Sequence, residues 1–200
     1  MPVSYMEINL NALRHNLRVI RQHLPKEVNV LAVVKANAYG HGAVETLRIA
    51  MEEGYTAAAV ARVEEGAKLR EAGFTCPIYV LGLPLPEDML MGVKYDLTLP
   101  VDDTVDLDAF EDIAKGAGKT VEVMMPIDTG MNRIGTHPED VKPFLKKLAG
   151  YPHLHLHGTW THMATADCKD KSAALKQLDR FDEAIAQMPV TDDFVISSAN

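Results

Sequence analysis

The chain predicts an α/β protein with parallel strands, and a (β/α) barrel is the preferred arrangement. Short apolar runs alternate with amphipathic segments at a period of roughly 25 to 35 residues, the size of one strand-plus-helix unit. The run at 28–34 is mostly apolar rather than apolar at every second position, which reads as a buried strand rather than an amphipathic one. Glycines stand at 54, 73, 118 and 150, where helices are due to end. Strand–helix–strand order imposes parallel pairing through right-handed crossovers. With no dinucleotide-type glycine loop and no sign of a reversal in strand order, the barrel is preferred to a doubly wound sheet.

The elements follow in order. Leu13, Leu17, Ile20 and Leu24 recur at three- and four-residue spacing, which predicts an amphipathic helix over 11–24 closed by Pro25. Strands are predicted at 28–34, 57–60, 78–81, 96–99, 120–127, 155–160 and 194–197. Helices are predicted between them at 43–53, 63–72, 86–93, 103–116, 138–149 and 171–187. The acidic block from Asp102 to Asp112 reads as the solvated face of a helix. A closed barrel needs eight strands and about 250 residues. Residues 1–200 are therefore expected to form one domain, a partial barrel of about seven βα units that is cut short after the seventh strand.

Composition narrows the function. A chain of 200 residues that is 47% hydrophobic can bury a sizeable core. Its formal charge of -8 argues against a nucleic-acid or anionic-membrane surface and favours a small-molecule ligand. Only Cys76 and Cys168 are present, which suits neither a disulfide framework nor a zinc site and points to a reducing compartment. No signal-peptide core opens the chain and no run reaches membrane-spanning length, so a cytoplasmic location is expected.

The chemistry begins at Lys35, which ends an apolar run rich in β-branched residues. A buried ammonium is costly unless it loses its proton, pairs or reacts, and a desolvated lysine amine condenses with carbonyls to give a Schiff base. Chemistry in a parallel barrel sits at the carboxyl ends of the strands. Lys35, Arg133, His162 and Asn200 follow the first, fifth, sixth and seventh predicted strands, and topology predicts that they converge. For Arg133 the plain alternative is a surface ion pair with Asp128. His153, His155 and His157 lie two apart on one strand, but three ligands in a line splay too far to chelate well, and no metal site is expected.

The string A-V-V-K-A-N-A-Y-G-H-G over 32–42 resembles the pyridoxal-phosphate lysine motif of the alanine racemase family. I-D-T-G-M-N-R-I-G over 127–135 resembles the family's D-T-G-M-x-R-x-G. T-H-M-A-T-A-D over 161–167 is similar to its T-H-F-A-T-A-D, with Met163 in place of phenylalanine. A-R-V-E-E-G-A-K-L-R over 61–70 and the closing S-A-N, the start of an A-N-S segment, also match. The resemblance implies a partial TIM-type barrel that binds pyridoxal 5'-phosphate. Lys35 would hold the cofactor and act as catalytic base for the D-enantiomer, while Tyr39 would reach its phosphate. Arg133 would bind its phenolic oxygen and the substrate carboxylate, with Met131 beside the substrate. His162 would lie beside the pyridine ring, Asp167 toward the substrate entry, and Asn200 at the cofactor.

One departure concerns Arg133. The family often carries a carbamylated lysine two residues before the aspartate, to steer the arginine, and here that place is Pro126. The implied reaction interconverts L- and D-alanine and supplies D-alanine for peptidoglycan. Its second base, a tyrosine from the partner subunit's carboxyl-terminal β-domain, has no counterpart in this chain. The 200 residues alone are therefore expected to be inactive, and the full-length form to be a homodimer. Two alternatives stay open: a racemase of another small amino acid such as serine, and a non-enzymatic pyridoxal-phosphate-binding protein.

Overall fold

The computed structural model describes residues 4–198, so the assignment to Asn200 lies outside the described residues. The chain divides into two compact units, Met1–Leu81 and Gly82–Asn200. Each is built on a parallel sheet whose strands follow one another in chain order. That sequential order is the barrel pattern rather than the reversal of a doubly wound sheet.

The first unit contains α1 (Leu10–Gln22), β1 (Leu31–Val33), α2 (Lys35–Tyr39), α3 (Ala43–Glu52), β2 (Ala57–Val60), α4 (Val63–Glu71) and β3 (Ile78–Val80). β2 is the central strand, paired with β1 from Leu31↔Ala57 and with β3 from Ala58↔Ile78. All four of its residues are buried, and three are alanine, leaving room for the apolar faces of α3 (Leu47, Ile49, Ala50) and α4 (Val63, Ala67, Leu69). β1 is shorter than its apolar run suggests, and Val33 is 40% exposed.

Helix α1 behaves differently. Asn9 caps it by accepting the Asn11 and Ala12 amides, yet none of its residues is fully buried. An ionic clamp holds it instead: Arg14 and Arg18 converge on Glu53 at 2.8 to 3.0 Å, and Arg14 also reaches Glu52. The two guanidinium groups hold the Glu53 carboxyl at about 2, well below its ordinary 4.5.

The second unit contains α5 (Pro86–Lys94), β4 (Leu99–Pro100), α6 (Leu107–Gly116), β5 (Val121–Ile127), a 3-10 turn (Pro138–Asp140), α7 (Val141–Leu148), β6 (Leu154–Thr161), α8 (Ser172–Ile185) and β7 (Val195–Ser197). The sheet order is β4-β5-β6-β7. The core combines β5 (Val121, Val123, Met124, Met125, Ile127) with Phe110 of α6, Phe144 of α7 and Phe181 of α8. Each fully buried phenylalanine contributes roughly 1.5–3 kcal/mol through the apolar area it removes from water.

All seven expected strands are present, and the departures have local causes. The fourth strand starts later than 96 because Asp96 adopts φ +51 and the Leu97 amide returns to Gly92, closing α5. Helix α6 starts at 107 rather than 103 because Asp106 caps it at the Ala109 amide. The reading of the whole acidic block as a solvated helix face fails at Asp102, which precedes the helix and is 2% exposed. Its Oδ1 accepts from the amide and hydroxyl of Thr104, and its Oδ2 from the Gly135 amide. Gly54, Gly73 and Gly118 take positive φ after their helices, whereas Gly150 does not.

β5 and β6 slip by one residue between Val123 and Met124, so His157 is the extra residue of a bulge. Gly158 follows it. A methyl group there would run into the Val195 carbonyl oxygen and lie 2.9 Å from Val195 Cβ. Gly158→Ala is expected to lower stability by about 1–3 kcal/mol, the usual overpacking cost, in chemical denaturation. Gly116→Ala, where added volume meets no neighbour, should be neutral or slightly stabilising.

The Glu53 clamp makes an acid prediction. Because its carboxyl is depressed in the fold, its stabilisation is complete above pH 4.5 and is lost as pH falls toward 2. Protection of the α1 amides, measured against their intrinsic exchange rates at each pH, should fall over that window, and Glu53→Gln should abolish this pH dependence.

Candidate active site

Lys35 stands at the carboxyl end of β1, and the backbone reverses its hand immediately after it. Ala36, Asn37, Ala38 and Tyr39 all adopt φ between +50 and +55, making α2 a left-handed turn. L-residues pay roughly 1–2 kcal/mol each for that conformation, although Asn tolerates it better. Local bonds offset the strain: Ala38 N–H donates to Val34 O at 2.8 Å, and Gly42 N–H to Asn37 O at 2.9 Å. Asn37 Oδ1 accepts the Ala43 amide at 2.9 Å, joining the turn to α3, and His41 Nδ1 donates to Ala38 O. Glu65 of α4 accepts the Ala36 amide at 2.5 Å.

The turn leaves its functional groups uncommitted. Lys35 is half-buried rather than enclosed, and among the described residues its ammonium meets no carboxylate; the Tyr39 ring centroid lies 6.0 Å from Nζ. Tyr39 is 62% exposed, a high value for a tyrosine beside a strand end. Lys119 shows the opposite case. It lies beside a cavity of about 110 Å³ at the amino ends of β4 and β5, and its Nζ is spent on Val93 O and Asp96.

In the second unit, Asp128 organises the chain after β5. It is 6% exposed, and its Oδ1 accepts the amides of Gly130 and Asn132 at 3.0 Å, curling 128–132 into a tight loop. Asn132 takes φ +56. The chain then returns against β5, with Thr136 N–H donating to Pro126 O and Asp128 N–H to Thr136 O. Gly135 is required there, since a Cβ would lie 2.8 Å from Pro126 O. Arg133 is exposed at the tip of this return, Met131 is partly exposed two residues before it, and no ion pair links Arg133 to Asp128. Buried Asp102 grips the Gly135 amide and so fixes the base of the loop.

His162 follows β6 and is half-buried; Met163 after it is 7% exposed and Asp167 is exposed. The strand ends of β5 and β6 share a buried chain of hydrogen bonds whose polarity can be deduced. Thr161 Oγ1 donates its proton to Ile127 O, so the 2.8 Å contact between Thr129 and Thr161 has Thr129 as donor. Thr129 in turn accepts from Gln177 Nε2 at 2.9 Å. The Gln177 side chain, 5% exposed, also donates to His162 O and accepts the Ala164 amide. It thereby pins both exits.

Sequence reasoning did not single out Gln177, Asp102 or Glu65. A polar residue in the apolar stripe of α8 was the available signal for the first, and an aspartate three residues beyond a strand for the second. Among the described residues no cluster of metal-ligating side chains occurs. His153 bonds Glu111, while His155 and His157 both approach Glu122, at 2.7 and 3.6 Å.

The fold defines an α/β domain of the barrel type. The chain belongs to the alanine racemase family: residues 8–200 match the family model described as "Alanine racemase, N-terminal domain". It is 39% identical over 178 residues to an alanine racemase of Methanococcus maripaludis, covering 88% of this chain and 48% of that protein. The solved alanine racemase of Bacillus anthracis with bound L-Ala-P superposes with a TM-score of 0.89 at 37% identity, covering 96% of this chain and 50% of that one. A histidine racemase of Leuconostoc mesenteroides superposes with a TM-score of 0.83 at 30% identity, over 94% and 51%. The chain thus spans about half the length of the curated relatives it matches. Its fold class is the family's (β/α) barrel in part.

Two substitutions test the local account by chemical denaturation. Gln177→Leu leaves the Ala164 amide unpaired and is expected to cost about 1–3 kcal/mol. Asn37→Ala removes both the tolerant residue and the bond to Ala43, and should cost about 1–2 kcal/mol, with Asn37→Gly milder because glycine accepts the left-handed conformation.

Proposed function

We propose that this chain is the cofactor-binding portion of a pyridoxal 5'-phosphate-dependent alanine racemase, which interconverts L- and D-alanine and so supplies D-alanine for the cell wall. The observation that carries the reading is Lys35: an amine at a strand end, held out by a left-handed turn and committed to no acceptor among the described residues. Family membership supports it.

The donor set suits the cofactor. Lys35 offers an amine for an aldehyde, and the Tyr39 phenol and Arg133 guanidinium offer donors for anionic oxygens. When bound, pyridoxal phosphate supplies an electron sink that acidifies the Cα–H of an amino acid. Lys35 would hold the cofactor through its amine and would serve as a base that moves the Cα proton on one face. In this reading Tyr39 holds phosphate, Arg133 takes the phenolic oxygen and the substrate carboxylate with Met131 alongside, and His162 flanks the ring. Asn200 is assigned to the cofactor on resemblance alone. Pro126 in β5 cannot carry a carbamate beside Arg133, and Asp102 steadies the Arg133 loop through Gly135.

Inversion needs a second base on the opposite face. We assign it to a tyrosine of a carboxyl-terminal domain in a homodimer, so the 200 residues alone should bind cofactor without racemising. The likeness to a histidine racemase favours one further reading, in which the same barrel serves another amino acid.

Borohydride reduction of the chain with pyridoxal phosphate, followed by peptide mass mapping, tests the assignment. Phosphopyridoxyl on Lys35, lost in Lys35→Ala, is the expected result. Label scattered over several lysines and unchanged in the variant would overturn it.

A further inference from the structure

Glu65 sits between the exits of two paired strands. Its Oε1 accepts the Ala36 amide at 2.5 Å, while Oε2 accepts the amides of Ala61 at 2.8 Å and Arg62 at 3.1 Å. β1 and β2 run in parallel with Val33 opposite Ala59, so this single carboxylate joins the residue after Lys35 to the turn that follows Val60. We propose that Glu65 is a positioning residue for Lys35: by gripping the Ala36 amide it holds the left-handed turn that presents the amine. The proposal rests on the reading of Lys35 as the cofactor-binding amine.

The physical case starts from the turn itself. Four consecutive L-residues in the left-handed region return to an ordinary loop unless the surrounding structure fixes them. The Ala36 amide stands in the first turn of α2, where backbone N–H groups lack an acceptor within the turn. A carboxylate is the strongest acceptor available to it, and the charge-assisted bond acts one peptide from Lys35. Glu65 is itself anchored from behind, because it occupies the third position of α4 and also accepts the amide of the capping residue Arg62.

That second contact raises the rival role, a plain helix cap, and Glu65→Gln separates the two. Glutamine keeps one carbonyl oxygen, which two amides (Ala61 and Arg62) claim against one (Ala36). Its NH2 group is then left facing the Ala36 N–H, donor against donor. The cap survives and the grip on the turn is lost. Glu65→Ala loses both.

The test uses the full chain, with amide exchange read by NMR and pyridoxal phosphate as the probe, reduced with borohydride at limiting concentration. In Glu65→Gln the Ala36 amide should exchange about tenfold faster or more, as loss of a hydrogen bond to a charged group implies, with α4 amides nearly unchanged. Phosphopyridoxyl on Lys35 should fall by about the same factor while labelling of other lysines holds. In Glu65→Ala the α4 amides should accelerate as well. Unchanged Ala36 exchange in Glu65→Gln would overturn the proposal, as would faster exchange with full Lys35 labelling, which would leave Glu65 only a structural bond. A wild-type chain that takes no label at Lys35 would instead overturn the cofactor reading. Ala36 exchange would then still decide whether Glu65 holds the turn.

Discussion

The left-handed turn after β1 is the constraint on which the candidate site depends. A strand that continued, or a right-handed helix that began at Lys35, would send Ala36 to Tyr39 along a different path. The observed backbone avoids both by placing four L-residues at positive φ, a conformation that ordinary sequences leave to single glycines. Its neighbours are arranged to tolerate it. Small alanines flank the one residue, Asn37, that is at ease there, and glycines at 40 and 42 complete the reversal before α3 begins. The strain is local and sits beside Lys35, the proposed cofactor-binding amine; strained backbone is commonly found at such sites.

Polar bonds in this chain follow a division of labour. The residues that hold the strand exits in place are buried or bonded on every side: Asp102, Asp128, Thr129, Thr161 and Gln177 in the second unit, and Glu65 in the first. The residues that the proposal assigns to the cofactor, Lys35, Tyr39 and Arg133, are exposed or half-buried and lack such bonds among the described residues. Low-dielectric surroundings strengthen the first group.

Much of this was legible in the sequence. Short runs rich in apolar residues, separated by segments of helical period, marked the seven strands, and the family resemblance rested on strings that fall on the turns after β1, β5 and β6. The handedness of 36–39 was not legible. Ala-Asn-Ala-Tyr contains no glycine and alanine is the best right-handed helix former, so propensity points the wrong way, and the outcome depends on local bonds together with the tertiary bond from Glu65 to Ala36. Asp102 was misread because its sequence neighbours are acidic and solvated, while its own environment is set by Gly135, 33 residues away. The amphipathic pattern of α1 was correct as a helix, but its apolar side is not buried within its unit, and two arginines on Glu53 hold it instead.

Family membership fixes the fold class, and the turn explains how one lysine is set apart from the others in the chain. The most direct test of that account is a crystal structure of the chain grown with pyridoxal phosphate. Continuous density from Lys35 Nζ into the cofactor, with Ala36 to Tyr39 still left-handed, is the predicted result. Cofactor density on another lysine, or a turn rewound to the right-handed form, would contradict it.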